Sequence, residues 1–61
     1  MNDHDAIQAA YAAILDQLFK VLFDGITEAA GNAPAEAQAL ASFKAGLAIA
    51  RKARDGAVAS L

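Results

Sequence analysis

Asp3-His4-Asp5 is the one run in this chain whose residue types suit a metal ion. Its spacing fits no closed zinc site, because there is no second His and no Cys to complete a tetrahedral set. Removal of Met1 would leave His4 third from a free amine, a geometry that suits copper or nickel, but the bulk of Asn2 opposes that removal. Acids at this place have a simpler role, capping a helix start and complementing the positive end of its dipole. The sequence therefore predicts no metal and no cofactor.

Acid–base or nucleophilic catalysis needs a base held beside a group it can activate. Asp16, Lys20 and Asp24 follow one another at steps of four, with Glu28 four further on, which is the spacing of ion pairs along a helix surface. No His or Cys lies near them, and Ser42 has no sequence neighbour that would activate it. The four glycines are scattered and build no phosphate-binding loop. The chain reads as a non-enzyme.

Lys44, Arg51, Lys52 and Arg54 are the residues that suggest nucleic acid. Lys44 and Arg51 fall on one side of a helix, and a dimer would double the patch. Against this stand a net charge of −2 and the lack of any aromatic residue among the bases. The charge is divided along the chain. Residues 1–36 hold six of the seven acids against Lys20 alone, net −5, while residues 37–61 hold those four bases against Asp55, net +3. An antiparallel hairpin would bring the basic end of a second helix back beside the acidic start of the first.

The element that must carry these residues is centred on Tyr11–Ala30. At 100° per residue, Ile7, Tyr11, Ile14, Leu15, Leu18, Leu22, Ile26 and Ala29 fall in one band. Phe19 and Phe23 widen it on one flank and Val21 on the other, so the apolar sector covers about half the circumference, more than the stripe a surface helix needs. One neighbouring helix cannot cover so wide a band. Asp16, Gln17, Lys20, Asp24, Thr27 and Glu28 form the polar remainder. Asn2, Asp3 and Asp5 are candidate caps, Asp5 making a capping box with Gln8. Unbroken spacing from Leu22 to Ala29 predicts a helix that continues through Gly25. The longest nearly apolar run, Ile14–Phe23, is interrupted by polar residues and falls short of the roughly 20 residues that span a bilayer. An acidic polar face also differs from the basic face of membrane-surface helices.

Gly31-Asn32-Ala33-Pro34 punctuates the chain. Gly31 suits the left-handed residue after a helix, and Pro34 suits the first turn of the next. The expected fold is all-α: an antiparallel helical hairpin with helices over about residues 4–30 and 34–55, Gly56 being a possible stop. In the second helix Leu40, Phe43 and Leu47 form a narrow large-apolar stripe, extended by Val58 and Leu61. Ala35, Ala39, Ser42, Gly46, Ala50, Ala53 and Ala57 form a small-residue stripe beside it that allows close helix packing.

With 61 residues, no Cys and no metal site, the chain depends on association to complete a core. Ile7, Tyr11, Ile14, Leu15, Leu18, Phe19, Leu22, Phe23, Ile26, Leu40, Phe43 and Leu47 are the expected core and interface residues. The simplest assembly is a homodimeric four-helix bundle. In length and plan the chain resembles the Rop family of plasmid copy-number regulators, short hairpins that form such a bundle and bind RNA. That family uses the outer face of its first helix for RNA. The same face is acidic here, so the resemblance implies the bundle and not the ligand. The expected function is that of a small cytoplasmic interaction or assembly protein, partnered by itself or by another helical protein, with no small-molecule ligand and no membrane. The alternative is a nucleic-acid-binding regulator working through Lys44, Arg51, Lys52 and Arg54.

Overall fold

Two helices joined by one tight turn make up the described residues. The computed structural model describes residues 2–61, with α1 at Asp3–Glu28 and α2 at Ala33–Ala59 packed side by side. Gly25 lies beside Ala39, Leu18 beside Gly46 and Tyr11 beside Arg54, which is an antiparallel register.

Of the candidate caps, Asn2 is the one used. Its Oδ1 accepts the Asp5 N–H at 2.8 Å, leaving Asp3 and Asp5 inside the first turn, where the helix dipole favours them. The Asp5–Gln8 box is thereby replaced. α1 runs unbroken through Gly25 and ends at Glu28, two residues before the expected Ala30. The N–H groups of Ala29 and Ala30 still reach back to the carbonyls of Gly25 and Thr27, at 3.0 and 3.4 Å. Gly31 then takes φ +80°, the left-handed conformation that reverses the chain.

Asn32 repeats the role of Asn2. Its Oδ1 accepts the Ala35 N–H at 3.1 Å, so α2 begins at Ala33, with Pro34 in the first turn where its missing N–H has no helical partner to lose. α2 passes Arg54 and Gly56 and ends at Ala59, four residues beyond the expected stop. One helical glycine costs only about 1 kcal/mol. The chain closes at Ser60 instead, whose N–H reaches the carbonyls of Gly56 and Ala57 at 3.1 Å while its Oγ donates to the Gly56 carbonyl at 2.8 Å.

The contact seam of α1 is Ile7, Tyr11, Leu15, Leu18, Leu22, Gly25 and Ala29, all half-buried and spaced by threes and fours. Facing it on α2 are Ala39, Phe43, Gly46, Ala50, Arg54 and Ala57, half-buried at the same spacing. Small residues set the approach. A Cβ on Gly25 would sit 3.1 Å from that of Ala39, and one on Gly46 would sit 2.8 Å from Leu18 Cδ2. The product is a slab of 45 × 18 × 7 Å in which none of the described residues is buried.

Candidate interaction face

The seam divides the slab into two broad sides. On one side Ile14 and Val21 border open grooves shared with the small residues Ser42 and Ala53 of α2. Helical spacing places Leu15, Phe19, Phe23 and Ile26 on the opposite flank of α1. The antiparallel register puts Leu40, Leu47 and Val58 of α2 on that same side, making it the bulkier apolar face.

The hairpin covers the expected core and interface residues unequally. Ile7, Tyr11, Leu15, Leu18, Leu22, Ile26, Phe43 and Leu47 are half-buried. Ile14, Phe19, Phe23 and Leu40 stay 46, 60, 61 and 44% exposed. Two of these, Phe19 and Phe23, are large aromatic side chains one turn apart that the hairpin leaves mostly uncovered. Ile49, outside both stripes of α2, is 70% exposed.

The four basic residues do not gather into one patch. Lys44 and Arg51 share the margin of the apolar face, at the i, i+7 spacing. Lys52 lies on the outer side of α2. Arg54 is drawn into the seam, where its guanidinium carbon sits 4.4 Å from the Tyr11 ring centroid and Nη2 and Nε both meet Asp55 Oδ1 at 3.0 Å. That stacking uses the ring face that an aliphatic residue at position 11 would lack. Neither Tyr11 nor Arg54 signals the contact by its sequence position; only the register of the hairpin pairs them. Among the described residues no ion pair crosses between the helices. Lys20–Asp16 at 3.1 Å runs along α1 at i, i+4, and Arg54–Asp55 joins neighbours in α2.

Asp3, His4 and Asp5 stand in the first turn of α1, and among the described residues no three His, Asp or Glu side chains come together in a metal-holding group. Glu28, Gln38 and Ser42 border a groove of about 380 Å³ that is open to solvent, with no His beside them. By length and composition, α1 is long and apolar enough to cross a membrane. Its alanines extend the apolar stretch well past Ile14–Phe23, the run that by itself falls short of a span.

No protein-family model matches the chain, and neither a curated protein nor a solved structure shows significant similarity to it. The likeness to the Rop family stays one of length and plan.

Proposed function

We propose that the chain is a non-enzymatic helical assembly protein that acts by burying the bulkier face of its hairpin, in the first place against a second copy to form a four-helix bundle. The observation that carries this is the exposure of Phe19, Phe23 and Leu40 in a hairpin where none of the described residues is buried. Contiguous apolar surface of this kind marks an interaction site in a soluble protein.

Area supports self-association. A compact chain of 6.2 kDa exposes about 3,700 Å², whereas the hairpin exposes 4467 Å². Two copies brought to the roughly 6,100 Å² of a compact particle of twice the mass would bury roughly 2,800 Å² in total. That lies within the roughly 2,000–5,000 Å² of obligate homodimers. A cytoplasmic place goes with this reading, because Asp16, Lys20 and Asp24 put charges at the middle of α1, where a bilayer interior would penalise them.

Light scattering with a circular dichroism melt across a concentration series tests the proposal. The expected result is a helical particle of twice 6.2 kDa whose melting temperature rises with concentration. A monomer with a concentration-independent melt sinks it. A poorly helical chain assigns the face to a different protein, and recovery with the membrane fraction overturns the cytoplasmic assignment. Binding to mixed RNA and DNA that weakens steeply with salt would instead favour a regulator working through Lys44, Arg51, Lys52 and Arg54.

A further inference from the structure

We infer that the second copy docks with its turn at the same end, so that α1 of each protomer lies on α2 of the other. This rests on the self-association proposed above and specifies its geometry. Two flat hairpins joined face to face by a two-fold axis have two choices. An axis along the helices stacks α1 on α2 of the other copy and keeps both turns together. An axis across the helices stacks α1 on α1 and α2 on α2 and sends the turns to opposite ends.

Charge separates the two. α1 carries Asp3, Asp5, Asp16, Asp24 and Glu28 against Lys20, net −4; α2 carries Lys44, Arg51, Lys52 and Arg54 against Glu36 and Asp55, net +2. Within the hairpin this difference goes unused, since among the described residues no ion pair joins the helices. Stacking α1 on α1 sets acids against acids and bases against bases. With the turns together, the axis preserves height along the slab. Gly25 is level with Ala39 and Leu18 with Gly46, so Arg51 and Lys44 of the second copy come level with Ala13 and Lys20, one turn to either side of Asp16. Asp16 and both bases lie on the margins of the apolar face, where complementary charges fix register.

Bulk gives the same answer independently. On this side α1 carries the exposed Phe19 and Phe23 beside the half-buried Leu15 and Ile26, whereas α2 offers Leu40, Leu47 and Val58 with smaller or charged residues between them. Stacked with the turns together, Phe23 comes level with Leu40 and Phe19 with Lys44 of the second copy to within one residue, so the bulkier flank of each α1 meets the sparser flank of an α2. Stacked the other way, four phenylalanines would hold the α1 pair apart while the α2 pair met across a gap, against the close packing of protein interiors.

The chain has no Cys, so Ala30→Cys, at an exposed position beside the turn, places a single nitroxide label on the full-length protein. Light scattering and electron–electron double resonance are then read on the same sample. The expected result is a dimer with a label separation of about 10–25 Å, given packed helices about 8–10 Å apart. A dimer whose labels are separated by the 45 Å length of the slab or more overturns the orientation and leaves the dimer intact. A monomer overturns both. Asp16→Arg or Arg51→Glu alone should each raise the dimer Kd about 3- to 10-fold, as expected for exposed pairs repeated by symmetry, and the double variant should restore it. Failure of the double variant to restore binding, or tighter binding by Arg51→Glu alone, overturns the α1-on-α2 contact.

Discussion

Gly25, Gly46 and Gly56 all lie inside helices, yet the space beside them differs, and substitutions there should have different effects. At Gly56 nothing lies within 4 Å of an added Cβ, so Gly56→Ala should stabilise by about 0.5–1 kcal/mol through helix propensity. At Gly25 the new methyl would meet the Ala39 Cβ at 3.1 Å. A few tenths of an ångström of helix separation then offset the propensity gain, and Gly25→Ala should be close to neutral. Gly46→Val forces Leu18 out of its notch, where the added Cβ already comes to 2.8 Å, and should cost about 1–3 kcal/mol as overpacking. Thermal melts of the three variants at one concentration check the order. Equal shifts would mean that the seam does not pack at the spacing described.

The turn and its caps decide where the elements begin and end. Asn32→Ala removes the acceptor for the Ala35 N–H and should cost about 1 kcal/mol, the usual worth of an N-cap. Gly31→Ala forces a Cβ into a φ of +80° and should cost about 1–2 kcal/mol. Denaturant midpoints for both variants, with unchanged m-values, are the expected reading. A neutral Gly31→Ala would show that the chain reverses by another route. The residue types at this turn were legible in the sequence as punctuation, with Gly31 and Pro34 in their expected places. Asn32 was legible only as turn-forming, because capping depends on backbone geometry that Ala33 and Pro34 leave open by one residue. The far end of α2 shows the limit of the glycine signal. Gly56 is a possible stop by type, but a helix already held by its partner absorbs about 1 kcal/mol and continues to Ala59.

At the scale of the whole molecule, Phe19 and Phe23 separate the hairpin from its assembly. Both are about three-fifths exposed in the hairpin, so the double variant Phe19→Ser/Phe23→Ser removes little that the two helices bury by themselves. In a dimer the same change removes four aromatic side chains, each contributing roughly 1.5–3 kcal/mol on full burial, and should raise Kd at least about 100-fold. Sedimentation of the variant against the parent chain checks this. An unchanged dimer would place the interface on the other side, where Ile14 and Val21 lie.

The sequence by itself determined the helical class, the two elements, the reversal at Gly31 and the surplus apolar width of α1. All of these follow from local propensity and from a periodicity that repeats every few residues. Which apolar residues that surplus comprises was decided only by the tertiary structure. Leu18 and Leu22 lie in the seam while Phe19 and Phe23 do not, because the antiparallel register and the notch at Gly46 fix which part of a half-circumference band meets the second helix. Arg54 belongs to the same class. By sequence it is one of four bases, and it becomes a seam residue only because the turn returns it to the level of Tyr11.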